Sequence, residues 1–273
     1  MIISGKTKVL AVIGDPVSHS LSPVMHNGWI SDHSIDAVYV ALPLKSDDAE
    51  TEIRALCRFG LAGANVTVPH KREAASAADR SEGVVANVLR WEKDGTVSGF
   101  NTDGQGFLDS LAEAAPDWKS RVRRVLMLGA GGAAVAIAEA LGPHVDTIHF
   151  ANRTQSRADA AADALRAGRV LRWDDLERGF GAADLIVQAT TLGMGANPSP
   201  EWPMAAAKAS VICADIVYKP LETPFLHAAR ARGLATMDGL GMLIHQGARA
   251  FELWFGVKPD VEKARRRLIE ALA

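Results

Sequence analysis

The chain has only two cysteines, Cys57 and Cys213, in 273 residues. They lie far apart among apolar neighbours, which excludes a disulfide framework or a cysteine metal site and reads as two buried free thiols. Net charge is also scarce: 30 lysines and arginines face 32 aspartates and glutamates, leaving −2. Such a balance supplies no long-range attraction to nucleic acid or an anionic membrane. The one basic run, Arg265-Arg266-Arg267, falls on a terminal helical pattern and reads as a solvated face. The start, MIISGKTK, lacks the apolar stretch of a signal peptide. One nearly uncharged run, residues 125–142, is broken by Gly129, Gly131, Gly132 and Glu139, so strand, turn and helix fit it better than a membrane span. Repeats, low-complexity tracts and long linkers are absent. What is left is a cytoplasmic globular chain with 48% hydrophobic and 23% charged residues, long enough for two domains with separate cores.

Two patterns follow one another along that length. Up to about residue 103, predicted strands at Val9–Ile13, Val38–Leu42 and Ala64–Val68 alternate with helices. One helix begins near Ser22-Pro23, a serine N-cap before proline, and another runs from about Ser46 to Phe59. Val88–Trp91 and Thr96–Gly99 flank Lys93-Asp94-Gly95 as a hairpin. From about residue 122 come continuous apolar strands at Val125–Leu128, Thr147–Ala151, Leu185–Gln188 and Val211–Ala214, of the sort buried on both faces of a parallel sheet. Helical stretches near 133–141, 156–166 and 220–232 accompany them. Two more, about 240–255 and 260–272, are expected to return and cover the first domain.

The strand Val125–Leu128 runs into Gly129-Ala130-Gly131-Gly132-Ala133-Ala134, a G-x-G-x-x-A dinucleotide fingerprint opening a helix. The first glycine makes a tight turn, the second admits a pyrophosphate to the backbone, and the small third residue packs helix on sheet. Amides at the helix start then face the phosphates. NAD binders carry an acidic residue about 20 positions further on. Here the next strand ends in Asn152-Arg153-Thr154, with Arg157 one turn later, and no carboxylate. Two guanidiniums and a hydroxyl suit the 2′-phosphate of NADP; the alternative is a pair of surface charges on a helix.

Other polar clusters are less decisive alone. Ser18, Ser20 and Ser22 could cap a helix or grip a carboxylate at its start. Lys71, after the strand stopped by Pro69, is either a solvated charge or an amine placed over a ligand. Asp103 could cap a helix between the two domains, and Gln246 puts an amide on a helix facing the cleft.

Taken together, the stretches SHSLSP, NVTVPHK, NTDG, GAGGAA, NRT, DIVYKP with TP, and GLGMLIHQ run in one order and resemble the shikimate dehydrogenase family over nearly the whole chain. The resemblance implies an α/β protein. An N-terminal α/β substrate and catalytic domain, residues 1–103, would be completed by helices 240–273. A Rossmann NADP-binding domain would span 104–239, with the cleft between the two. It implies Lys71 as the catalytic lysine and Asp103 as its carboxylate partner. Ser20 and Ser22 would bind the substrate carboxylate; Asn65, Thr67, Asn87 and Gln246 would meet hydroxyls, with Tyr218 nearby. Gly129, Ala130, Gly131, Gly132, Ala133, Asn152, Arg153, Thr154, Arg157, Thr190, Ile216 and Gly239 would surround NADP. The activity implied is hydride exchange between a ring secondary alcohol and the cofactor, in aromatic amino acid and chorismate biosynthesis. An amine and a carboxylate at the alcohol oxygen can orient it and carry its proton, and a lysine is tunable for this where an arginine is not. His19 and His70 are adjacent alternatives for that proton. No metal-ligand cluster is visible. The partner is a small carboxylated polyol, and the chain acts as a monomer or homodimer.

Two stretches depart from the family. Aligned on Arg90, the place of an asparagine that reaches a substrate hydroxyl falls to Ala86, with Asn87 one step along. The segment Ser76–Glu82 is also shorter than usual. Either the pocket lacks one hydrogen bond, or a bulge restores Asn87. Gln188 stands where the family has asparagine before alanine-threonine. Quinate and aminoshikimate are therefore kept as alternative substrates. A ligand-sensing, non-catalytic relative is the reading from another class, opposed by the presence of both Lys71 and Asp103. A glutamyl-tRNA reductase would lack SHSLSP and NVTVPHK and would carry a reactive cysteine.

Overall fold

A computed structural model describes residues 3–92 and 94–272, with the backbone alone for Cys57. The thiol of Cys57 and Lys93 of the hairpin turn lie outside the described residues. In chain order the elements are β1 (Lys8–Gly14), α1 (Ser22–Asp32), β2 (Ala37–Pro43), α2 (Ala49–Leu56), β3 (Leu61–Val66), α3 (Lys71–Ala77), β4 (Arg80–Ser81), β5 (Val88–Trp91) and β6 (Val97–Phe100). There follow α4 (Asp103–Ala114), α5 (Trp118–Arg121), β7 (Arg124–Leu128), α6 (Gly132–Leu141), β8 (Thr147–Ala151), α7 (Gln155–Asp163), β9 (Gly168–Val170), α8 (Leu176–Ala182), β10 (Leu185–Gln188), β11 (Ile212–Asp215), α9 (Pro224–Ala231), β12 (Ala235–Met237), α10 (Gly239–Phe255) and α11 (Val261–Leu272). Two compact units divide the chain: Met1–Thr102 with Gln246–Ala273, and Asp103–His245.

In the first unit six strands lie in the order β2-β1-β3-β5-β6-β4. β1 pairs in parallel with β2 and β3, and β5 runs antiparallel to β3 and β6. Ile13, Val66, Leu89 and Trp91 turn to one face and pack with Ile53 of α2 and Ala74 and Ala77 of α3. The other face is aromatic. Tyr39 stacks on His26 of α1, and Trp29 meets Phe251 of α10 edge-on. Lys263 and Arg267 of α11 tie down to Asp32 at the end of α1.

The second unit is a fully parallel sheet, β12-β11-β10-β7-β8-β9, with helices on both sides. The order reverses between β7 and β10. In such sheets ligands bind beyond the carboxyl ends of the strands at that point. Continuous apolar strands are what this burial demands. Ile137, Ile148 and Phe150 belong to one core cluster, Phe180, Ile186, Trp202 and Phe225 to another.

Of the boundaries that differ from the sequence reading, four have a local cause in hydrogen bonding or capping. β3 ends at Val66, short of the expected Val68: His70 N turns back to Thr67 O at 3.0 Å, leaving Val68 exposed. α1 starts with Ser22 inside it and Leu21 at the cap, with no side-chain cap bond, so the serine does not cap the helix. The helix expected from Ser46 begins at Ala49, because Ser46 accepts from Asp48 N at 3.0 Å in a turn. The helix placed at 220–232 begins at Pro224, where the Thr223 hydroxyl accepts from Leu226 N.

Candidate active site

In the first unit the polar residues expected from the sequence come together at one end of β3. Asn65, the last inward position before Val66, accepts the Tyr39 hydroxyl at 2.6 Å and donates through Nδ2 to Asn87 O at 3.2 Å. Asn87 is buried, and its Oδ1 accepts from Thr102 N at 2.8 Å while its Nδ2 donates to Gln246 Oε1 at 3.3 Å. The Thr102 hydroxyl donates in turn to Gln246 O at 3.1 Å. Lys71, half-buried, opens α3, and its carbonyl accepts from Ala86 N at 2.9 Å, which joins it to the same segment. Thr67 is half-buried just past β3, with its amide on Ile13 O at 2.8 Å. Ser20 and Ser22 lie at the start of α1, where Ser22 N donates to Ser20 Oγ at 3.2 Å.

Asn87, not Ala86, turns toward the polar set. Ala86 and Leu89 both pack into the cluster beneath α2 and α3, although three positions separate them. Strict alternation is therefore broken ahead of β5, and Asn87 turns toward Thr102 and Gln246. Of the two histidines considered for proton transfer, His70 is buried with Nε2 at 2.7 Å from Leu44 O, an anchor for the chain beyond β2. His19 is exposed.

Tyr39, Thr102 and His26 escaped the sequence reading. A signal existed for the first: it is one of two tyrosines, set in an apolar strand, and a buried phenol needs a partner. Burial pushes its pKa well up, with Ser22 acting the other way. His26 is fully buried, and neither ring nitrogen has a hydrogen-bond partner among the described residues. Burial pulls its pKa down from 6.5 to about 3; the nearby Asn65 opposes this without reaching hydrogen-bond geometry. The unfolded chain keeps the ordinary value and binds more protons between the two. Stability is therefore full above pH 6.5 and falls as pH drops toward 3. Urea melts should show wild type losing roughly 3 kcal/mol relative to His26→Phe between pH 7 and 4. Parallel pH dependences would show that the imidazole titrates normally. Asp215 works oppositely, pushed up to about 6 by burial against hydrogen bonds from Thr223, Val217 and Gln188. Its contribution is common to both proteins.

The second unit carries the dinucleotide elements. Gly129, after β7, has φ +112°, and a Cβ there would press on Ala189 O, so the turn demands glycine. Gly131 and Gly132 need glycine for neither reason: a Cβ on either would meet nothing within 4 Å. Their bare backbone at the start of α6, with Ala130 and Ala133 beside it, leaves room for a phosphate to reach the amides. Arg153 and Arg157 are exposed beyond β8, and neither is in an ion pair among the described residues. Asn152 Nδ2 donates to Thr154 O at 2.9 Å and shapes that turn. Buried Gln188 accepts from the amide and hydroxyl of Thr190, each at 2.6 Å, and donates to Asp215 at 3.3 Å. Asp215 accepts from Val217 N at 2.9 Å and the Thr223 hydroxyl at 2.7 Å. One buried pair thus holds the turns bearing Thr190 and Ile216. Gly239 lies so close to Ile216 O that no side chain fits. Tyr218 is half-buried, and burial raises its pKa. Asp103 is buried as the first residue of α4.

Strand order, phosphate turn and unpaired arginines define an NADP-type dinucleotide-binding α/β protein. Known families agree with it. The shikimate dehydrogenase substrate binding domain matches residues 12–88, the shikimate/quinate 5-dehydrogenase family residues 110–194, and the shikimate 5′-dehydrogenase C-terminal domain residues 239–269. A shikimate dehydrogenase (NADP(+)) of Rhodospirillum rubrum is 44% identical over 280 aligned positions, covering 98% of this chain and 99% of the relative. A crystal structure of a shikimate dehydrogenase in complex with NADP+ superposes with TM-score 0.90 at 34% identity, covering 100% of this chain and 98% of the other. Quinate dehydrogenase from Corynebacterium glutamicum in complex with NAD gives 0.89 at 31% identity, with 97% and 99% covered. The chain belongs to the shikimate dehydrogenase family.

Proposed function

We propose that the protein is an NADP-dependent oxidoreductase that interconverts shikimate and its 3-dehydro ketone. One observation carries the reading: Asn65, Asn87, Thr102 and Gln246 form a connected set of amides and a hydroxyl in the unit that also bears Lys71. Such a set suits the hydroxyls of a polyol, which can both donate and accept. The name of the Rhodospirillum rubrum relative supports both shikimate and NADP.

NADP, when bound, supplies or accepts the hydride. The residues of this chain do the rest. Amides around Gly131 and Gly132 bind the pyrophosphate, and Arg153, Thr154 and Arg157 the 2′-phosphate, beside Asn152. Thr190, Ile216 and Gly239 line the cofactor. Ser20 and Ser22 hold the substrate carboxylate; Asn65, Thr67, Asn87 and Gln246 orient its hydroxyls, with Tyr218 beside them. Lys71 and Asp103 handle the proton of the alcohol. In this reading the chain works in the cytoplasm as a monomer or homodimer, in the route to chorismate and the aromatic amino acids. Among the described residues no helix is long and apolar enough to cross a membrane.

The purified protein should be assayed with shikimate, quinate and aminoshikimate, each with NADP and with NAD. Shikimate with NADP should have the highest kcat/KM, by about tenfold or more, since each missing directed hydrogen bond or ion pair weakens the transition state. Faster turnover of quinate with NAD would move the chain to the specificity named for the Corynebacterium glutamicum structure.

A further inference from the structure

Tyr39 lies on β2, the edge of its sheet, yet it is among the most firmly held residues of the first unit. Asn27 of α1 stands in for a neighbouring strand: its Nδ2 donates to Tyr39 O at 2.8 Å and its Oδ1 accepts from Tyr39 N at 2.9 Å. The ring of His26 stacks on the phenol with centroids 4.4 Å apart and planes 13° apart, and Trp254 flanks it at 6.1 Å. Its imidazole, with no hydrogen-bond partner among the described residues, serves here as a flat spacer. The phenol hydroxyl reaches Asn65 as its acceptor, with Ser22 also beside it.

The backbone decides which end of that amide faces it. Asn87 O lies 3.2 Å from the other end, and a carbonyl can only accept. Nδ2 must therefore face Asn87, Oδ1 must face Tyr39, and the Tyr39 hydroxyl must donate. With Tyr39 on its oxygen and Asn87 on one N–H, Asn65 keeps its second N–H to donate.

We infer that Tyr39 is a positioning residue of the substrate site, which together with Asn87 O holds Asn65 at both ends as a hydrogen-bond donor and so selects a ring oxygen turned to accept. The inference rests on the functional reading, because Asn65 is placed at the polyol only there. Tyr39→Phe keeps the ring and its stack but removes the hydroxyl from the oxygen end of the amide, so Asn65 is anchored at Asn87 O alone and its second N–H is aimed less firmly. The shikimate KM should rise about 3- to 10-fold, the worth of one directed hydrogen bond, with kcat and the NADP KM within about twofold.

The experiment compares wild type and Tyr39→Phe on shikimate and on analogues lacking one ring hydroxyl at a time. The KM ratio should fall to one for the analogue missing the hydroxyl that Asn65 meets, and persist for the others. An equal ratio for every compound would mean general loosening and overturn the inference, as would an unchanged shikimate KM in an active enzyme. A wild type inert toward shikimate, quinate and aminoshikimate would overturn the functional reading itself and this inference with it. Should Tyr39→Phe fail to fold, Asn65→Asp serves: it keeps an acceptor for Tyr39 but has no N–H. Its KM should rise at least about tenfold, and a value within twofold of wild type would overturn the inference.

Discussion

Lys71→Ala is expected to lower turnover by about 10²–10⁴-fold while the shikimate KM moves much less. The asymmetry follows from the role. An amine that carries or steadies the proton of a secondary alcohol acts mainly as the bond to hydrogen breaks, so its loss falls on the transition state. The local structure makes the variant a clean test. Lys71 is held through its carbonyl, which Ala86 N reaches at 2.9 Å, and through its neighbour His70, fixed to Leu44 O. Neither contact uses the amine, so both remain available in the truncated variant. Lys71→Arg separates charge from proton transfer, since a guanidinium keeps the positive charge but cannot give up its proton near neutral pH. It should be nearly as slow as Lys71→Ala. Near-normal turnover in either variant would show that Lys71 does not carry the proton step.

The sequence disclosed most where burial is two-sided. β7, β8, β10 and β11 stand as continuous apolar runs because both faces of a parallel sheet are covered, and each was legible within a residue or two. β9 and β12 were not, since three residues, Gly168–Val170 and Ala235–Met237, are too few to show a period. Ser22 misled for a local reason: serine before proline fits an N-cap, but the helix starts one residue sooner with no side-chain cap. The glycine turn and the arginine pair were legible because their chemistry is short-range in sequence. The polar set of the first unit was legible only in part. Asn65 and Gln246 could be named, but Tyr39, 26 residues away from Asn65, meets it only across the sheet. Alignment on Arg90 placed Ala86 where the family has asparagine, and a break in the alternation ahead of β5, invisible in one sequence, turns Asn87 toward Thr102 and Gln246.

Arg153→Ala should raise the NADP KM about tenfold to 150-fold and leave activity with NAD nearly unchanged. The range corresponds to about 1.5–3 kcal/mol for a hydrogen bond to a charged group. Arg153 lies just beyond β8, exposed and without an ion pair among the described residues, so no internal carboxylate competes for it and none is orphaned by its removal. The loss should then appear only with the cofactor that carries the 2′-phosphate. Exposure adds a second signature: a contact between exposed charges is screened, so the NADP KM of wild type should climb with salt more steeply than that of the variant. Arg157, one helical turn further along α7, should show the same selectivity with a smaller change. Equal weakening toward NADP and NAD would instead make Arg153 a support of the turn Asn152–Thr154. The preference for NADP would then have to come from Thr154 and the missing carboxylate at the end of β8.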